Sequence, residues 1–371
     1  MKFLIITNHS YMLWQFRREL ISALMERGEV VISMPFVGHE DDFAEMGCRC
    51  IETELDRRGL DPFSELRLYR TYKRLIGDEK PDAVITYSIK PNVYAGRVCS
   101  KMRIPYFVNV QGLGTAFQKK PIAAVVTAMY RSALKRANTV FFENESNANE
   151  FVSRGIIKRE RITVLSGAGV NLSVYSQEEY PSEAEGIRFL YLGRIMKEKG
   201  MDELFAAAEK LKERYGERIG FDLVGFFEDD YKERVEALEA AGTVRFHGFQ
   251  SDPKPFYKAA HCVVLPSYHE GMSNVLLEAA ATGRALVTSD IPGCREAVDE
   301  GVNGFLCRKA DSESLEECLA RFMELDEGER RLMGERGRAK MEEEFDKKKV
   351  VAKTLETIMD GLERPLRSPS P

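Results

Sequence analysis

The chain has 371 residues, 44% of them apolar, with charges of both signs and a net charge of −5. That length exceeds one ordinary core and suits two domains, and the composition excludes a disordered or collagen-like chain. No apolar run approaches the roughly 20 residues needed to cross a bilayer, and seven scattered cysteines without C-x-x-C spacing argue against a disulfide or zinc framework.

The odd, scattered cysteines are expected to be reduced thiols in the cytoplasm, and the start, Met1–Thr7, has a strand pattern and no signal-peptide pattern. Phe3–Thr7 is the first expected strand. Between Tyr11 and Arg27, the residues Leu13, Phe16, Leu20 and Leu24 form a helical stripe that Gly28 stops. Val30–Met34, Ala83–Tyr87, Tyr106–Val110, Thr139–Phe142 and Ile162–Leu165 continue the strands of the first half. A polar stretch with Pro181, Asn171–Gly186, breaks the periodicity and marks a domain connection. Ile187–Leu192, Phe221–Val224, Val244–Phe246, Cys262–Leu265 and Leu286–Thr288 repeat the pattern. Apolar runs alternating with helical stretches indicate parallel sheets covered on both faces. The last helix, about Lys347 to Gly361, carries Val350, Val351, Leu355 and Ile358 at helical spacing, and the Pro- and Ser-rich end 364–371 reads as a disordered tail.

Charge is unevenly placed. From Ala83 to Phe142 there is no Asp or Glu but nine basic residues, Lys119, Lys120, Lys135 and Arg136 among them. Such a stretch suits an anionic membrane surface or a phosphate-bearing acceptor, or else it covers solvated helix faces. Ile122, Val125, Val126, Met129, Tyr130, Ala133 and Leu134 share one helical face there. A membrane interface and the domain's own core explain that face equally well.

Two motifs carry chemistry. Glu270 precedes an apolar helix and Glu278 lies inside it, with Gly271, Met272, Ser273 and Asn274 between them at the positive helix end. A loop carboxylate can take sugar hydroxyls, helix amides a phosphate, and a second carboxylate a vicinal diol. The segment Gly193-Arg194-Ile195-Met196-Lys197-Glu198-Lys199-Gly200 follows a strand, and Arg194 with Lys199 can neutralise a diphosphate. Together these are the parts needed to hold a nucleotide sugar without a metal. Lookalike motifs fail: Gly112-Leu113-Gly114 continues to Phe117 where a dinucleotide fingerprint needs glycine, His269-Glu270 lacks the second histidine of a zinc protease, and Ser273 is not in a G-x-S-x-G frame.

At these residues the chain resembles the retaining glycosyltransferases of the GT-B fold, the large group-4 class. Glu270 and Glu278 match that family's E-x7-E, and Gly193, Arg194, Lys199 and Gly200 match its G-R-x4-K-G. The resemblance runs on through Ser251–Pro253, His261–Pro266, Ile291–Glu296 and Gly301–Cys307. It implies two Rossmann-like, doubly wound parallel-sheet α/β domains facing a cleft. The first, 1–172, would bind acceptor and be completed by the final helix at about 346–363; the second, 173–345, would bind the nucleotide sugar. Glu270, Arg194 and Lys199 are then the expected catalytic residues, with Gly193, Gly271–Asn274 and Glu278 holding the donor. No cofactor and no metal are expected.

The N-terminal half departs from the wider family, with Asn8-His9-Ser10-Tyr11 after the first strand and Gln111 where many members carry a histidine. Lys90-Pro91-Asn92, Gly112–Gly114 and Phe142–Glu145 resemble a subgroup that elongates polyprenyl-diphosphate-linked glycans, with UDP-sugar N-acetylgalactosaminyl- and galactosyltransferases as the nearest similarity. His9, Lys90, Asn92 and Gln111 are the expected acceptor-side residues. The expected enzyme moves a hexose or N-acetylhexosamine from a UDP-sugar to a lipid-linked glycan. It would sit on the inner face of the cell membrane and use no nucleic acid. A nucleotide-sugar epimerase and a non-catalytic binding subunit of the same fold are the alternatives.

Overall fold

The computed structural model describes residues 1–54, 61–113, 117 and 120–363. It divides into two units: Met1–Ala168 with the segment from Lys349 onward, and Gly169–Lys348. Gly114, Thr115, Ala116, Lys119 and the 364–371 tail fall outside the described residues, as does the side chain of Lys120.

In the first unit the described strands are β1 (Lys2–Ile6), β2 (Glu29–Met34), β3 (Arg49–Glu52), β4 (Ala83–Tyr87), β5 (Tyr106–Val110), β6 (Thr139–Phe142) and β7 (Ile162–Val164). They form one sheet in the order β3-β2-β1-β4-β5-β6-β7, with every pair parallel. The helices are α1 (Ser10–Met25), α2 (Glu40–Glu45), α3 (Pro62–Glu79), α4 (Ile89–Met102), α5 (Lys120–Leu134) and α6 (Glu145–Ser153). Each crossover lays a helix on one face or the other, so central strands such as β4 and β5 are buried along their whole length.

The second unit contains β8 (Ile187–Leu192), β9 (Ile219–Val224), β10 (Val244–Phe246), β11 (Cys262–Leu265), β12 (Ala285–Ser289) and β13 (Gly304–Cys307). Their order is β10-β9-β8-β11-β12-β13, again all parallel. Its helices are α7 (Met201–Tyr215), α8 (Lys232–Ala240), α9 (Lys254–Ala259), α10 (Asn274–Ala281), α11 (Ser312–Glu324) and α12 (Glu327–Glu344). The last helix, α13 (Lys347–Glu363), puts Val350 and Ile358 into the first unit's core beside Phe107 and Phe141. There Asn138 Nδ2 donates to the Gly361 carbonyl at 2.8 Å.

β3 and β13 were not anticipated. Each is a four-residue edge strand, and the charged ends of β3 break the apolar run that marks the others. The apolar face of α5 resolves into two. Ala123, Tyr130, Ala133 and Leu134 are buried in the unit, whereas Ile122 and Val125 are 40% and 60% exposed.

Candidate active site

β8 and β11 are hydrogen-bonded neighbours although β9 and β10 lie between them in the chain. The winding reverses there, so the loops leaving their C-terminal ends diverge and open the crevice in which parallel α/β sheets take ligands. Both motif segments emerge at this point. Gly193 follows β8 and donates its N–H to the Val224 carbonyl at 2.9 Å. Gly200 ends that loop at φ +75°, and a Cβ there would stand 2.1 Å from the Pro266 carbonyl oxygen. Gly293, in the loop after β12, has φ +88° and would place a Cβ 2.6 Å from the Gly271 oxygen. Only glycine permits this approach of three strand-end loops.

The approach joins Lys199 to Glu270. The ammonium pairs with Glu270 Oε1, which also accepts the Ser267 hydroxyl at 2.8 Å. Arg194 is 47% exposed in its side chain and forms a loose pair with Glu228, 3.6 Å from Oε1. Its carbonyl accepts the Tyr191 hydroxyl at 2.6 Å. Surface pairs of this kind contribute little, so a more highly charged ligand can displace them.

Ser273 caps α10, its Oγ accepting from Leu276 N at 3.4 Å. Of the Gly271 to Asn274 amides expected to take a phosphate, that of Ser273 is already engaged, donating to the Gly293 carbonyl at 2.8 Å. That bond holds the loop after β12 against the helix start. Met272 is buried, and the first-turn amides from Asn274 onward have no preceding carbonyl within the helix. A full turn inside α10, Glu278 is 7% exposed and accepts the Tyr257 hydroxyl at 2.9 Å. Burial pushes its carboxyl up from 4.5 to about 7, against the opposing pull of the Tyr257 and Tyr175 hydroxyls and Lys347.

In the first unit, the expected acceptor-side residues stand apart in character. His9 caps α1, its Nδ1 accepting from Met12 N at 3.3 Å. Lys90 is tied to Glu65 at 2.6 Å. Asn92 is 1% exposed and donates to the Asn109 carbonyl at 2.8 Å, so it fastens α4 to β5 and faces no ligand directly. Gln111, just past β5, donates to Met12 Sδ at 3.4 Å and also bonds Glu143. Glu143, just past β6, pairs with buried Arg17 of α1 at 2.6 Å, and the guanidinium lies over the Tyr87 ring. Burial pushes the Glu143 carboxyl up. Among the described residues, no group of three His, Cys, Asp or Glu is placed to hold a metal ion.

Known proteins resemble this chain in sequence and in overall fold. The family model for glycosyl transferases group 1 matches residues 176–340, and that for the glycosyl transferase 4-like domain matches 13–168. An N,N'-diacetylbacillosaminyl-diphospho-undecaprenol alpha-1,3-N-acetylgalactosaminyltransferase of Campylobacter jejuni is 27% identical, covering 84% of this chain and 86% of that protein. The capsular polysaccharide glycosyltransferase CapM of Staphylococcus aureus is 24% identical over 81% and 82%. Among solved structures, Anabaena HepE in complex with UDP superposes with a TM-score of 0.80 at 17% identity, covering 97% of this chain and all of that one. A Rickettsia africae glycosyltransferase gives 0.80 at 18%, over 98% and 99%. The chain is a GT-B glycosyltransferase of the group 1 family.

As a glycosyltransferase, an enzyme of the hexosyl-transfer class, it carries both family motifs on the second unit. The structure brings together Lys199 with Glu270, and Gly271 to Asn274 with the loop after β12. Sequence reasoning did not reach Ser267, Tyr191, Tyr257 and Tyr175, which hold the motif residues in place. Ser267 lies three residues before Glu270, a signal that was available. Tyr257 and Tyr175 meet Glu278 only through tertiary packing. Arg17 and Glu143 are 126 positions apart in the chain, and nothing in the sequence pairs them.

Proposed function

We propose that this glycosyltransferase moves a hexose or N-acetylhexosamine from a UDP-sugar to a sugar carried on a polyprenyl diphosphate. In this reading, transfer retains anomeric configuration, needs no metal ion, and serves surface or protein-glycan assembly. The observation that carries the donor side is the Lys199–Glu270–Ser267 cluster beside the N-terminus of α10, at the switch point of the second unit's sheet. As the glycosyl–phosphate C–O bond breaks, its electron pair goes to the diphosphate. Arg194, Lys199 and the first-turn amides of α10 stabilise that growing charge, as fixed donors do in oxyanion sites. The acceptor hydroxyl oxygen forms the new bond to the same face of the sugar, and its proton passes to the leaving diphosphate. Glu270 accepts donor-sugar hydroxyls, and Glu278 the ribose diol. His9, Gln111 and Lys90 lie on the acceptor side, with Asn92 supporting them from within.

The Campylobacter relative, matched along most of both chains, supports the lipid-linked acceptor. The acid-free basic stretch and the exposed Ile122 and Val125 support attachment to an anionic cytoplasmic membrane face. Among the described residues, no helix is long and apolar enough to cross a membrane. The test is a panel of UDP- and GDP-sugars incubated with the full chain and a polyprenyl-diphosphate-linked sugar. UDP release that depends on acceptor, with a product whose new linkage keeps the donor's configuration by NMR, is the expected result. Release from no UDP-sugar, or an inverted linkage, overturns the reading.

A further inference from the structure

A second charged feature lies in the first unit, away from the C-terminal ends of its strands. Arg131, Lys135, Lys158, Arg159 and Arg161 line an open cavity of about 810 Å³. Its floor is apolar, since Leu134, Ile156 and Ile157 are buried. Its walls hold five cations and no acid. Two of the guanidiniums are anchored on main-chain carbonyls. Arg131 donates from Nε to Gly155 O at 3.1 Å and from Nη2 to Arg154 O, and Arg161 Nη1 donates to Lys135 O at 2.9 Å. Each keeps further N–H groups beyond those bonds. Arg159 shares its charge with Glu145 at 2.8 Å, an exposed pair of little weight. Lys135 and Lys158 have no acidic partner among the described residues.

The bland account is that these cations offset the C-terminal ends of α5 and α6, which terminate here at Leu134 and Ser153. Each helix end supplies only about half a negative charge. With Glu145 and the neighbouring Glu160 both subtracted, a surplus of about two positive charges remains over an apolar floor. Anchored guanidiniums beside mobile ammoniums are the usual means of holding phosphate oxygens.

We propose that this pocket is a binding site for a phosphate group, separate from the donor and acceptor sites. Arg161 immediately precedes β7, so the pocket lies at the end of the sheet where that strand enters, opposite the C-terminal strand ends that carry His9, Gln111 and Glu143. A ligand here is therefore not the sugar acceptor. Its phosphate comes either from an anionic lipid headgroup, which would seat the first unit on a bilayer, or from a soluble phosphate ester.

The test uses the full chain and its Lys135→Gln/Lys158→Gln variant, which removes charge without breaking a main-chain bond. Pyrophosphate titration and co-sedimentation with phosphatidylglycerol vesicles are the two arms, both read by hydrogen exchange over residues 152–161. The wild type should bind at least one probe with protection of that segment, and the variant should bind it about tenfold more weakly. Transfer to a short soluble acceptor should be unchanged, which separates this site from the proposed reaction. Protection by vesicles assigns the phosphate to lipid; protection by pyrophosphate without vesicle binding assigns it to a soluble phosphate compound. Binding of neither probe at low salt, or equal binding and protection in the variant, overturns the proposal.

Discussion

Lys199 and Glu270 neutralise each other across two loops, and the role proposed for Lys199 needs that pair to open when a diphosphate arrives. Arg194→Ala and Lys199→Ala should each lower turnover by about 10²-fold or more, with unfolding curves close to wild type. Near wild-type turnover in either variant would remove that residue from the diphosphate site. Glu278 gives a second residue-scale prediction. Its folded carboxyl titrates at about 7 against 4.5 for the free group, so the folded state holds a proton that the unfolded state has lost across that window. Stability should therefore fall as pH rises from about 4.5 to 7, by on the order of 3 kcal/mol from this group. Glu278→Gln cannot ionise and should lack that component, a difference that urea unfolding of both proteins at pH 5 and pH 7.5 would expose. Parallel curves at both pH values would show that Glu278 is not held protonated. Ribose binding would favour the carboxylate, so affinity for UDP-glucose should increase through pH 7 in the wild type and stay flat in the variant.

At the scale of elements, the donor motif depends on how α10 is clamped. α12 runs beside it, and Gly334 of α12 approaches the turn after α10 so closely that a Cβ would lie 2.1 Å from the Gly283 oxygen. Arg338 of α12 donates to the Ala281 carbonyl at 2.8 Å, binding the helix end on the same side. Gly334→Ala should cost at least about 1–3 kcal/mol in stability, because main chain and not a flexible side chain must give way. If urea denaturation finds the variant as stable as the wild type, the two helices are not in contact at glycine width. α5 shows the opposite situation, a helix with apolar residues on two sides. The packing of α4, β5 and α6 beside it decides which of those apolar residues are covered.

For the whole molecule, the proposed chemistry replaces a metal with fixed cations and a helix end. Transfer assayed with chelator in excess should continue at close to the untreated rate. A strict requirement for magnesium or manganese would show that Arg194, Lys199 and α10 are insufficient to stabilise the leaving diphosphate. Attachment to an anionic bilayer should weaken as salt rises, since screening shortens the reach of surface charge to a few ångströms at about 1 M. Vesicle binding that is indifferent to salt would point instead to the apolar residues of α5.

The amino-acid sequence carried the alternation of buried strands and helices, because a parallel sheet covered on both faces requires uninterrupted apolar runs that can be read locally. It also determined the family, because Gly193–Gly200 and Glu270–Glu278 are short segments whose chemistry depends on spacing along one loop and one helix. The edge strands β3 and β13 escaped notice, since an edge position tolerates short and partly charged segments. Tertiary structure alone decided the partners: that Lys199 meets Glu270 across the switch point, that Tyr257 and Tyr175 close over Glu278, and that Arg17 reaches Glu143. It also decided that Asn92 turns inward and that Ile122 and Val125 turn outward. Those outcomes depend on strand order and on which helix covers which face. Contacts between residues distant in the chain are fixed by packing, which no local period records.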